Sequence, residues 1–292
     1  SNYPGRVAGT EKETEMAVFI LSVLLNGGYT ERDMAVKSFE IHDSTPLMDE
    51  DAQNVFDGGE KSNSSQNIEI TKKGESEKTI IVGAHYDSAG THGVDDNGSG
   101  VSVALENALR MINIPTYYTI KYVFFGSEET GMYGSREYVE SLSEKERNNI
   151  VLMINIDSVL AGDYLYLYGG KVNDNGTVDN TEAVLKAYGI AQELGLSIQL
   201  PPDGNNDYPY PTGQKRSDHA PFNNINIPYI YFEANNWEKG TPIETEKNGL
   251  IMHTDMDDLD FIEKEYGGRA QNTLSKYSTL LYFLLQENDW EQ

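Results

Sequence analysis

Hydrophobic and polar positions follow two rhythms along this chain. "KTIIVGA" (78–84), "YYTIKYVFF" (117–125), "NIVLMINI" (149–156), "DYLYLYG" (163–169) and "IPYIYF" (227–232) are short apolar runs bounded by polar segments. Rich in β-branched and aromatic residues, they predict strands, the first of them buried on both faces. "AVKSFEIH" (35–42) and "QNIEITKKG" (66–74) predict two further extended segments. Elsewhere the spacing changes to three and four. Val101, Ala104, Leu105, Ala108, Leu109 and Ile112 share one face of a helix that begins near Ser99. Helical patterns also cover "MYGSREYVESL" (132–142) and roughly 179–194, and one long helix is expected over 261–286. The run Met16–Leu25 predicts a buried amphipathic helix ended by Gly27-Gly28. Acidic Glu11, Glu13 and Glu15 precede it, and ten apolar residues are too few to span a bilayer.

Strands alternating with helices predict the α/β class, with a central mixed, mostly parallel sheet and helices on both faces. No internal repeat or Pro/Gly/Ser linker divides the chain, so one domain is expected over 1–292. The opening Ser1-Asn2 is expected to be an expression remnant. In such sheets ligands bind at the carboxyl ends of the strands. Three of the predicted strands end in metal-capable side chains: His85-Tyr86-Asp87, "GSEETG" (126–131) and Asp157.

Composition narrows the chemistry. At 292 residues, with 38% hydrophobic content and 19 tyrosines, the chain can bury a sizeable core. A net charge of −25 argues against nucleic acid and against anionic membrane surfaces. There is no cysteine, which removes disulfides, thiol nucleophiles and Cys-ligated zinc and leaves His, Asp and Glu as metal ligands.

Those residues crowd into "GAHYDSAGTHGVDDNGSG" (83–100), directly after a predicted strand. Two readings compete. "DDNGSGVSVALE" (Asp95–Glu106) nearly matches an EF-hand calcium loop, with acidic or polar residues at positions one, three and five, Gly at six and Glu at twelve. An EF-hand needs a helix on each side, however, and here a strand precedes the loop while the predicted helix consumes its second half. The other reading gathers His85, Asp96, Glu128, Glu129 and Asp157, with one more ligand from His219 or His253. Converging carboxylates repel one another unless cations lie between them. Imidazole mixed with carboxylate suits zinc.

At this point a family resemblance is carried by "GAHYDS", "VDDNGSG", "FFGSEETGMYGS", "INIDSV", "RSDHAPF" and "MHTDMDDLDFI". Their order and spacing resemble those of the co-catalytic zinc exopeptidases, a family that includes secreted bacterial leucyl aminopeptidases, with glutamate carboxypeptidase II and the glutaminyl cyclases as wider relatives. The resemblance runs from about residue 78 to the C-terminus, and "PGRVAGTEKE" is similar to the family's usual start. It implies two Zn2+ per chain, one on His85 and Asp157, the other on Glu129 and His253, with Asp96 bridging them. Glu128 is then the general base beside a metal-bridging hydroxide that attacks the N-terminal peptide bond of a peptide or protein. Asp87, two residues beyond His85, holds the second nitrogen of that imidazole. A strained, cis Asp96-Asn97 peptide is also implied. "RSDHAPF" is similar to the substrate-side loop, which places Arg216, Asp218 and His219 at or behind the substrate. Some relatives carry an aromatic residue where this chain has Met252, so the oxyanion donor is not identified.

Two alternatives remain open. A glutaminyl cyclase would hold a single zinc, and a catalytically silent binding module would have lost ligands. A carboxypeptidase lacks a basic cluster near the motifs, and a serine hydrolase lacks its Gly-x-Ser-x-Gly turn. The resemblance and the missing cysteines imply a secreted or cell-surface protein, expected to be a monomer with no membrane insertion. His42 reads as a surface residue, His92 as a loop residue rather than a ligand, and "DMDDLD" (255–260) as a helix N-terminus. "PPDGNNDYPYPTGQKRSD" (201–218) is expected to supply the pocket rim, and the first seventy residues offer no reading of function.

Overall fold

A computed structural model describes residues 5–41, 62–172, 178–202, 216–239 and 243–290. Ten strands follow in chain order among these residues: β1 (Met34–Glu40), β2 (Ser64–Lys72), β3 (Thr79–His85), β4 (Thr119–Phe125), β5 (Ile150–Ile156), β6 (Tyr164–Tyr168), β7 (Lys171–Val172), β8 (Val178–Asp179), β9 (Ile198–Gln199) and β10 (Tyr229–Asn235). Eight of them form one sheet in the order β1-β2-β4-β3-β5-β10-β6-β9. The pairs β3–β4, β3–β5, β5–β10 and β6–β9 are parallel, while β1–β2, β2–β4 and β6–β10 are antiparallel. The sheet is therefore mixed and mostly parallel.

Helices α1 (Glu11–Asn26), α2 (Gly100–Met111), α3 (Tyr133–Ser141), α4 (Glu144–Asn149), α5 (Glu182–Glu193), α6 (His219–Asn224), α7 (Leu259–Tyr266) and α8 (Arg269–Leu284) complete the order. The apolar faces of α1, α2, α5 and α8 pack with Ile80, Val82, Ile120, Phe124 and Ile154 on one side of the sheet. Tyr138 of α3 and Phe222 of α6 pack with Ile81, Val123 and Met153 on the other. All seven residues of β3 are buried, as its unbroken apolar run predicts. No helix among the described residues is long and apolar enough to cross a membrane.

One prediction fails. The long helix expected over 261–286 is two helices, α7 and α8, broken at Gly267-Gly268, where Gly268 adopts φ 78°. Their apolar spacing continues across the break, so periodicity alone does not reveal it. His42 and most of 201–218 lie outside the described residues.

The topology fixes where a site can form. From β3 the chain crosses through α2 to β4 on one side, and β5 pairs with β3 on the other. This reversal opens a crevice beyond the carboxyl ends of β3, β4 and β5.

Candidate metal centre

His85 is the last residue of β3, Glu128 and Glu129 lie on the turn after β4, and Asp157 follows β5 directly. Asp96 comes from a wide turn between β3 and α2, entered at Gly93 with φ 60°. The Asp96-Asn97 peptide is cis, as the resemblance implies. His253 arrives from a loop ahead of α7 and itself takes φ 58°, a strained region for a residue with a Cβ.

These residues form two groups that share one carboxylate. His85 Nε2 lies 3.1 Å from Asp96 Oδ1 and 3.3 Å from Asp157 Oδ1. His253 Nε2 lies 3.0 Å from Asp96 Oδ2 and 3.1 Å from Glu129 Oε2. Ligand atoms about 2.0–2.2 Å from a tetrahedral zinc stand roughly 3.3–3.6 Å apart, close to these separations. The contacts at His253 are poor hydrogen bonds: its Nε2 has no hydrogen-bond partner despite two carboxylate oxygens nearby, and Glu129 Oε1 is likewise buried without one. Atoms so close yet misaligned for sharing a proton suit a cation held between them.

Electrostatics point the same way. Burial lowers the His253 pKa, but Glu129 and Asp96 push it up to about 12. Burial also opposes charge on His85, yet Asp157, Asp87 and Asp96 raise its pKa well above the ordinary value. Both imidazoles thus stand where the surrounding carboxylates call for positive charge. Burial raises Asp96, but the two histidines outweigh it and hold its carboxyl far below the usual range. Glu128 faces the opposite situation. Burial, followed by the charges of Asp218, Glu129 and Asp157 against the help of His85, raises its pKa well above normal. The two groups, joined at Asp96, have the residue types and spacing that could each hold a metal ion.

Asp87 is fully buried beneath this centre. Its Oδ1 lies 3.4 Å from His85 Nδ1 and accepts the Glu128 N–H at 3.0 Å, while Oδ2 accepts the Glu129 N–H at 3.2 Å. Asp218 and His219 are also fully buried. Burial, with Asp157 and Asp87 adding to it, pushes Asp218 up to about 7. The His219 ring stacks against Tyr229 and Tyr231, with centroids 4.5 and 4.8 Å away. Arg216 is half-buried, its guanidinium 5.8 Å from the Trp237 ring centroid.

The calcium-loop reading of Asp95–Glu106 finds no support in these contacts. Asp95 Oδ1 accepts the N–H groups of Leu160 and Ala161 at 2.8 and 3.1 Å, and Glu106 bonds Ser278 in the helical layer. His92 pairs with Asp258 at 2.6 Å, away from both metal-capable groups. Asp258 also caps α7 by accepting the Phe261 N–H, as expected for a helix N-terminus.

Three supporting residues escaped sequence reasoning. Ser217 donates to Asp157 Oδ2 and accepts from Asn155, both at 2.7 Å. Asp257 accepts the N–H groups of Asp95 and Asp96 at 2.6 and 3.2 Å. Glu244 accepts those of Ile251 and, at 2.7 Å, Met252, and so fixes the approach to His253. Ser217 lies inside a recognisable motif. The other two acidic residues carry no local signal, because their partners are remote in the chain.

Comparison with known proteins adds context to this geometry. The model of peptidase family M28 matches residues 67–278. The alkaline phosphatase isozyme conversion protein of Escherichia coli is 28% identical over 82% of this chain and 70% of its own length. Aminopeptidase YwaD of Bacillus subtilis is 33% identical over 69% of this chain, which spans only 41% of that relative. Among solved structures, the zinc aminopeptidase BSAP of Bacillus subtilis superposes with a TM-score of 0.73 at 21% identity, covering 99% of this chain and 92% of the other. A glutaminyl cyclase from an Acidobacteriales bacterium gives 0.67 at 16% identity, covering 98% and 90%. At these identities the two superpositions establish the fold.

Proposed function

The chain belongs to peptidase family M28, and we propose that it is a di-zinc aminopeptidase hydrolysing the N-terminal peptide bond of peptides and proteins. The observation that carries this reading is the placement of Asp96, with Oδ1 3.1 Å from His85 Nε2 and Oδ2 3.0 Å from His253 Nε2. A carboxylate divided between two imidazole–carboxylate groups suits two cations rather than one. His85 and Asp157 would hold one, Glu129 and His253 the other, and Asp96 both. When bound, the zinc pair supplies Lewis acidity toward the scissile carbonyl and the attacking water.

The chain's own residues do the rest. Glu128 takes the water's proton as the C–O bond forms and returns it to the leaving nitrogen as the C–N bond breaks. Its burial among carboxylates raises its proton affinity, which suits a base that must also act as an acid. Asp87 lies 3.4 Å from the second nitrogen of the His85 ring and, through two backbone N–H groups, holds the turn that presents Glu128. Glu128 and Asp157 attract the substrate's α-ammonium group. Arg216, at the edge of the aromatic cluster, contacts the substrate, and Asp218 and His219 support that wall from within. A secreted or cell-surface address and a monomeric state belong to the same proposal.

The test is hydrolysis of Leu-p-nitroanilide before and after chelation, with zinc content measured by elemental analysis. About two zinc per chain and chelator-sensitive hydrolysis are expected. One zinc with cyclisation of N-terminal glutamine would move the chain to the cyclases, and hydrolysis that survives complete metal removal would end the proposal.

A further inference from the structure

Gly5–Glu13, in the part of the chain where the sequence offers no reading of function, touches two of the loops that form the metal centre. Arg6 holds the first. Its Nε donates to the carbonyl of Tyr86 at 2.7 Å, Nη1 to that of His92 at 2.5 Å and Nη2 to that of Gly93 at 2.8 Å. Its backbone N–H donates to Ser88 Oγ at 2.9 Å, and the Ser88 N–H returns a bond to the Arg6 carbonyl at 3.1 Å. One guanidinium thus spans the loop from the residue after His85 to the third residue before Asp96. The approach is close: a Cβ on Gly5 would stand 2.3 Å from the Thr91 carbonyl oxygen, and one on Gly93 2.9 Å from Arg6 Nη2.

Glu13 holds the second loop. It is buried in the first turn of α1, where Oε1 accepts the Ser65 hydroxyl at 2.6 Å and the Ser127 N–H at 3.2 Å. Oε2 accepts the Gly9 N–H at 2.7 Å, closing the segment on itself. Ser127 adopts φ 56° immediately before Glu128. A non-glycine residue in that region needs its surroundings to hold it there.

We propose that Gly5–Glu13 is a positioning clamp for the zinc site, in which Arg6 sets the separation of His85 from Asp96 and Glu13 fixes the turn carrying Glu128 and Glu129. The proposal rests on the di-zinc reading above. A planar fork is needed for the first task, because three carbonyls in different directions must be met at once. Lysine keeps the charge but presents it as a compact ammonium, without that fork. The cation also lies within the field of Asp87, Asp257, Asp96 and Glu129, so it offsets part of the repulsion among them.

The experiment compares Arg6→Ala, Arg6→Lys and Glu13→Gln in the full chain. Zinc affinity is read by competition with a chromophoric chelator, without substrate, and folding by circular dichroism and thermal unfolding. Arg6→Ala is expected to weaken zinc binding by about 10–100-fold, the usual effect of removing a group that orients ligands. Added methylguanidinium should recover part of that loss in Arg6→Ala and none in Arg6→Lys. Glu13→Gln, by loosening the turn that carries Glu129, should weaken zinc binding by about 10-fold and lower kcat more than it changes KM, and a folded variant with both unchanged would overturn Glu13's part in the clamp. Folded Arg6 variants with wild-type zinc affinity, or a loss in Arg6→Ala that methylguanidinium leaves untouched, would overturn the clamp. If Arg6→Ala does not fold, Arg6→Lys decides: weakening of about 10-fold supports the clamp and unchanged affinity refutes it. Because zinc is titrated without peptide, a wild-type protein that binds zinc but hydrolyses nothing would refute the aminopeptidase reading alone.

Discussion

His85 ends a strand buried along its whole length, and 1% of its side chain is exposed, whereas His253 sits on a loop at φ 58° with 24% exposed. The same contrast runs through their partners. Asp157 follows the central strand β5 and is held by Ser217, while Glu129 lies on the turn that leans on Asp87 and, through Ser127, on Glu13. One half of the centre inherits its geometry from the sheet, and the other is assembled from loops that need separate supports. Asp96, common to both, is fixed by Asp257, whose own loop carries His253. The sheet-built half should therefore persist when the loop-built half is disturbed.

The largest effect is expected at Glu128, which both halves flank. Glu128→Gln should lower kcat by about 10²–10⁴-fold while leaving zinc content unchanged. Retained activity would remove the shared chemistry that makes the two halves worth comparing. Next in size is a pH effect on the loop-built half. Burial, with the charge of Asp87 adding to it, raises Glu13 from 4.5 to about 7. Its contribution to stability is complete below pH 4.5 and is lost as pH rises through about 7. Metal-free wild type should lose roughly 3 kcal/mol relative to Glu13→Gln across that window. Equal slopes in urea titrations from pH 4 to 8 would show that Glu13 is not held this way.

Chelation should separate the halves directly. If two ions bind as proposed, the one on Glu129 and His253 should leave first, with a dissociation constant about 10-fold weaker than that of the one on His85 and Asp157. Spectroscopic titration of a cobalt-substituted protein would resolve the two steps, and release in one step would break the contrast. The smallest effect concerns folding. In the metal-free protein His85→Ala should cost roughly 1–2 kcal/mol more than His253→Ala, because it leaves a buried gap among three carboxylates. Equal unfolding midpoints would show that exposure is a poor guide here.

Sequence reasoning reached the sheet-built half more easily for the same physical reason. A strand end is visible as the point where an apolar run stops, so His85 and Asp157 declare their location locally, and of the loop-built half only Glu129 lies near enough to a strand end to share that signal. His253 had no such marker and was placed by its motif alone. Asp257 and Glu244 were invisible because the N–H groups they accept lie on loops whose course depends on the completed fold. Arg6 was missed because its partners are main-chain carbonyls, which are present in every residue and leave no trace in composition. The Gly267-Gly268 break was hidden by apolar spacing that continues through it.

That break has a consequence of length. At about 1.5 Å of rise per residue, a helix continued straight back from Arg269 to Leu259 would place its beginning roughly 15 Å further along the α8 axis. Asp257 and Asp258 would travel with it and lose their hold on Asp95, Asp96 and His92. The two glycines turn a rod into an elbow, and the elbow lets Asp257 and Asp258 brace the turn that leads from β3 into α2.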